Sequence, residues 1–162
     1  MMKAFKYTVI LLLCVFVLGI TTVQAKSKPN YLGEFCWLAG DPAADPEETL
    51  SFLRVGITHE GDDHFSVNGL LMERDPGEEF KPDGPITGNM EIIGDERIMT
   101  LTVSTTDGPF IVYSVLNLRL DGATLDGTGY GITTLYNLTN EAFEPMEAGS
   151  GEIQFVPDCL FP

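Results

Sequence analysis

Arg97 to Thr105 reads RIMTLTVST, and its alternation decides the fold class: Met99, Leu101 and Val103 fall on one face, Thr100, Thr102 and Ser104 on the other. A period of two belongs to a strand whose successive side chains point alternately to core and solvent. Phe110 to Leu120 repeats it, setting Leu116, Leu118 and Leu120 against Asn117 and Arg119. Working outward, strands are expected over 31–38, 50–58, 64–73, 86–93, 97–105, 110–120, 124–136 and 151–157. No segment sustains a helical period, and only a short helical turn is expected, around Glu141 to Phe143. The class is all-β.

Short Gly-bearing segments separate the runs: Glu60-Gly61-Asp62-Asp63, Gly94-Asp95-Glu96, Asp107-Gly108-Pro109 and Asp121-Gly122. Each suits a hairpin turn, so sequential neighbours pair antiparallel. The connections 39–49, 74–85 and 137–150 are longer and rich in Pro and acid. In an up-and-down meander these long loops share one end with 106–109, and the tight turns near 61, 95 and 122 share the other. The expected architecture is an eight-stranded antiparallel up-and-down β-barrel with one loop-rich mouth, since closure removes exposed edges. A β-sandwich is the competing arrangement.

Three strands carry an aliphatic-polar-Gly pattern, Val67-Asn68-Gly69, Ile86-Thr87-Gly88 and Leu125-Asp126-Gly127, the last running on into Gly129 and Gly131. Glycine inside a strand weakens it unless a bend or a close backbone approach requires it. The first run opens Gly33-Glu34-Phe35-Cys36-Trp37. In these features residues 31–157 resemble the calycin-type barrels, lipocalins and avidins. The resemblance implies a barrel that holds a small apolar molecule. Trp37 is the only tryptophan, so the tryptophan ring with which avidins grip biotin has no counterpart.

The N-terminus, MMKAFKYTVILLLCVFVLGITTVQA, places Lys3 and Lys6 before an apolar run from Val9 to Ile20 and ends with Val23 and Ala25 at the selective positions of a signal-peptidase site. Residues 1–25 are read as a signal peptide and 26–162 as one β-barrel domain, exported to a secreted or periplasmic location. The apolar run is shorter than the roughly 20 residues that span a bilayer, so no membrane-spanning segment is expected after cleavage. Cys14 leaves with the signal. The remaining pair, Cys36 and Cys159, is expected to form a disulfide in an oxidising compartment. Losing Lys3 and Lys6 from nine basic residues leaves seven against 24 acidic ones, a net charge of about −17. That charge repels nucleic acid and anionic membranes, and is compatible with cationic partners or a divalent cation at the long loops.

His59-Glu60-Gly61-Asp62-Asp63-His64 gathers both histidines with three carboxylates. His59, Asp62 and His64 are the candidate metal ligands there, against the simpler reading of a solvated hairpin turn. No nucleophile-base-orienter set, phosphate-cradling loop or basic-aromatic surface is present in the sequence. No catalytic residue or cofactor is therefore assigned, and an enzyme is the least supported class. The inward apolar stripe supplies the candidate ligand-contacting residues Phe35, Trp37, Val55, Phe65, Met90, Met99, Leu101, Leu116 and Phe155. Two functions follow as expectations: binding of a small apolar or amphipathic ligand, or a protein-interaction role, as inhibitor or envelope component, using the acidic loops.

Overall fold

The alternating runs fold into β1 (Asn30–Ala39), β2 (Leu50–Gly61), β3 (His64–Arg74), β4 (Lys81–Ile93), β5 (Glu96–Asp107), β6 (Phe110–Asp121), β7 (Gly127–Asn137), β8 (Ala142–Phe143) and β9 (Glu147–Phe155), followed by a 3-10 turn over Pro157–Cys159. A computed structural model describes residues 28–39 and 50–159. The expected signal segment 1–25 and the loop acids Asp41, Asp45, Glu47 and Glu48 lie outside the described residues.

From β1 to β7 each strand pairs antiparallel with the next. β9 then pairs with β7 on one side and with β1 on the other. The result is one nine-stranded sheet in which eight strands close into a ring, with β8 held outside it against Tyr136 and Asn137. The strands do not divide into the two stacked sheets of a sandwich.

Period-two alternation sorts the side chains as the sequence indicates. Met99, Leu101 and Val103 are buried inside the ring with Val55, Val67, Ile86, Leu118 and Leu120. On the outside, Thr100 donates a hydrogen bond across to Asn117 Oδ1 (3.0 Å) and Arg119 pairs with Glu96 (2.8 Å). An aromatic group fills the ring towards its tight-turn end: Phe35 stacks on Trp37 with centroids 6.1 Å apart, and Phe155 leans on Trp37 at 5.7 Å. The Trp37 indole N–H finds the Leu125 carbonyl at 2.8 Å, which satisfies its one polar atom in an otherwise apolar base.

The strand glycines are explained by close approach. A Cβ at Gly69 would run into the Arg54 carbonyl oxygen and the Val55 Cα, and one at Gly88 into the Thr100 carbonyl oxygen. Neighbouring strands cross the inner surface at these points, as tight curvature of a small ring demands.

Three local expectations need correction. No helical turn forms at Glu141 to Phe143: Glu141 takes φ 55°, the Asn140 side chain accepts the Ala142 N–H, and the chain doubles back to form β8. β7 begins at Gly127 rather than 124, because Asp121 Oδ1 collects the N–H groups of Ala123 and Thr124, and Leu125 follows at φ 65°. β4 and β9 begin earlier than expected, at Lys81 and Glu147. Ladder pairing extends β4 as far as Glu73↔Lys81 and β9 as far as Thr133↔Glu147.

The Cys36–Cys159 disulfide is present, with Cα atoms 5.3 Å apart and a sequence separation of 123. It lies on the outer face of β1 in a small cluster with Leu38, Leu50 and Phe52, over which Val156 packs. Closing so long a loop stabilises the fold by about 4 to 5 kcal/mol in the chain-entropy view. A Cys36→Ser/Cys159→Ser variant is expected to lose about that much unfolding free energy, read from its urea midpoint. An unchanged midpoint would show that strand pairing alone holds the closure.

Candidate functional site

Where most strands present Leu, Val or Met to the interior, β7 and β9 present glycine. Gly129 and Gly131 of β7 face the cavity, directly paired with Gly151 and Gly149 of β9. Leu118 and Leu116 of β6 lean over Gly129 and Gly131, where an added Cβ would come within 3.0 and 2.8 Å of their Cδ2 atoms, and the open space lies at Gly149 and Gly151, where nothing stands within 4 Å. A cavity of about 420 Å³ results, within the roughly 300 to 1,000 Å³ of small-molecule pockets.

The cavity sits above the packed base, towards the end that carries the connections after β3, β5 and β7. Leu53, Leu71, Val103, Leu116, Leu118 and Ile153 form its apolar floor and wall. Higher up the lining turns polar, through Ser51, Glu73, Asp83, Thr105, Ser114 and Thr133. Ser114 and Thr133 share a hydrogen bond of 2.9 Å across the β6–β7 ladder.

Glu73 faces inward because it continues the phase of Phe65, Val67 and Leu71 along β3. Asp83 arrives differently. The β3–β4 register steps from Leu71↔Gly84 to Met72↔Pro82, so Asp83 is the extra residue of a β-bulge and shares the inner side with Gly84. Re-aiming one side chain is what a bulge does. Burial raises the Glu73 pKa above its ordinary value, and Asp83, Asp75 and Asp107 add to the rise, opposed by a hydrogen bond from Ser51. Asp83 is raised for the same first reason and then by Asp107, opposed by a hydrogen bond from Thr105. Nearby basic side chains are engaged elsewhere: Lys81 with Glu78, and Arg74 over the Phe80 ring at 4.8 Å.

Of the residues the sequence offered as ligand contacts, Leu116 lines the cavity. Trp37, Val55, Phe65, Met90, Met99 and Leu101 are buried in the base, with Phe35 and Phe155 packed against them. Inward phase identifies both groups equally; height along the strand separates them. The metal candidates do not converge. His59 Nε2 donates to the Asp62 carbonyl oxygen at 2.7 Å with its ring against Phe65, and His64 Nδ1 lies 3.4 Å from Glu91. The first contact closes the turn and the second reaches across to β4, and among the described residues no three His, Cys, Asp or Glu side chains are grouped to hold a metal ion.

Sequence reading overlooked the polar tier. Glu73, Thr105 and Ser114 each continue an inward apolar phase and were open to discovery by that signal. Asp83 was not, because its position depends on the bulge.

Compared with protein-family models, with characterised proteins and with solved structures, the chain finds no match. The functional reading therefore rests on the cavity.

The raised acids make a prediction about the fold. A carboxyl whose folded pKa exceeds its unfolded value binds its proton more tightly when folded, so stability falls as pH rises through the window above 4.5 for Glu73. Glu73→Gln removes that effect while retaining a partner for Ser51. The variant is expected to melt higher than the parent at neutral pH and to gain less on acidification, measured by thermal denaturation across pH. A lower melting point at neutral pH would contradict the assignment.

Proposed function

We propose that the protein is an exported, non-enzymatic binding protein, a calycin-like barrel that takes a small amphipathic ligand through its long-loop end. The observation that carries this reading is the cavity of about 420 Å³ above a packed base. An apolar floor with a polar upper tier matches a molecule with one greasy and one polar end. The aliphatic-polar-Gly strands and the closed ring support the calycin comparison at the level of architecture. Export is supported by the signal-like N-terminus together with the Cys36–Cys159 disulfide. Among the described residues no helix is long and apolar enough to cross a membrane.

A second reading, a protein-interaction module, draws on the β7–β9 connection, where Leu138, Phe143 and Met146 are exposed beside acidic residues. It differs in where a variant acts. Gly149 and Gly151 have open space where a Cβ would stand, so Gly149→Leu/Gly151→Leu fills the cavity without a backbone clash. Thermal-shift and titration measurements with amphipathic compounds are expected to show binding to the parent and a loss of about tenfold or more in the filled variant. No shift with any compound removes the ligand reading. Loss of partner capture on Phe143→Ser/Met146→Ser, with the cavity variant unaffected, supports the interaction module.

A further inference from the structure

The cavity's ionisable lining is of one sign. Among the described residues Glu73, Asp83 and Glu152 border it, and no Lys, Arg or His does so. Two of these acids are held inside the ring by the fold itself, Glu73 by strand phase and Asp83 by the β3–β4 bulge. Asp75 and Asp107 act on Glu73 from beside the site, and Asp107 acts on Asp83 as well. The Ser51 and Thr105 hydroxyls, which hydrogen bond to the two carboxylates, add further oxygen. Such an arrangement is costly in the free protein, since charge is partly removed from water beside like charge. A ligand bearing positive charge reverses that cost, because an ammonium seated there exchanges its hydration for fixed carboxylate acceptors.

The rest of the lining separates an organic cation from a metal ion. Below the carboxylates the surface is Leu71, Val103, Leu116 and Leu118, the last two lying against Gly131 and Gly129 of the neighbouring strand. A bare ion would leave that surface empty. An alkyl or aryl body covers it and gains the burial of its apolar area. Resting on the reading of the cavity as a ligand site, we propose that the ligand is an amphipathic amine whose ammonium group seats between Glu73 and Asp83 while its apolar body lies on the leucine floor.

The test uses three probes that differ only at the head: octylamine, octanol and octanoate. Each is titrated calorimetrically into the purified protein at neutral pH, below its aggregation limit. Octylamine is expected to bind tightest, by about tenfold or more over octanol, with octanoate weakest. Glu73→Gln/Asp83→Asn, which removes two like charges from the cavity, is expected to erase the preference for octylamine over octanol. Equal binding of octylamine and octanol, or an octylamine affinity indifferent to the double variant, overturns the amine inference and leaves the ligand site standing. Saturable binding of Ca²⁺ that excludes octylamine overturns it in favour of a metal. Failure of all three probes to bind removes the amine inference and the ligand site together.

Discussion

Everything in this fold depends on how β9 meets β1. The ladders from β1 to β7 are long, whereas among the described residues the ring closes through Trp37↔Phe155, Leu38↔Gln154 and Ala39↔Ile153. This ladder joins the first and last strands of a sheet whose edges would otherwise be open for pairing with other chains. Other interactions gather at it. Val156 N–H donates to the Cys36 carbonyl at 2.9 Å, Phe155 N–H donates to Asp126 Oδ1 at 2.8 Å, and the disulfide crosses the outside. Inside, Trp37 and Phe155 pack across the same line. Covalent, polar and aromatic contacts thus reinforce the place where the first and last strands meet.

The stagger of this seam also sets where the ring is hollow. Ile153 pairs with Ala39 at the end of β1 and with Gly127 at the start of β7. The remainder of β9, from Glu147 to Glu152, therefore runs up towards the long-loop end beside β7, beyond its pairing with the described part of β1. That upper part carries Gly149 and Gly151, while the sealed part carries Ile153 and Phe155. One strand changes character at the seam, from packing residues below to space above. Base and cavity are two consequences of a single register.

Much of this was legible in the sequence. The alternation in RIMTLTVST and its neighbours identified the strands, the hairpin turns ordered them, and two cysteines near the ends of the domain anticipated that the first and last strands would be adjacent. Strand phase also separated inside from outside, so the apolar interior set was readable. Height was not. Whether an inward residue such as Met99 or Leu116 packs or lines a cavity depends on stagger between strands, which no single segment encodes. Asp83 shows the limit most sharply: it sits in a stretch of Pro, Gly and acid that reads as a loop, and only the bulge opposite Leu71 and Met72 turns it inward. The helical turn expected at Glu141 and the strand start expected before Leu125 failed for a related reason, since the Asn140 and Asp121 side chains accept backbone N–H groups there and fix turns instead.

The two halves of the ring make opposite contributions to stability, and this connects the seam to the site. Glycine walls forgo the apolar contact that Leu or Val would provide, and carboxylates raised by burial and mutual repulsion work against folding while ionised. Those costs fall on the upper half. The compensations fall at and below the seam, in the aromatic base, the aliphatic interior and a disulfide worth about 4 to 5 kcal/mol. A fold stabilised at one end can hold strain and charge at the other without losing its closure. The disulfide joins Cys36 of β1 to Cys159 just past β9, so removing it leaves the ionised acids of the upper half acting on a closure held, among the described residues, by the β1–β9 ladder and the contacts around it.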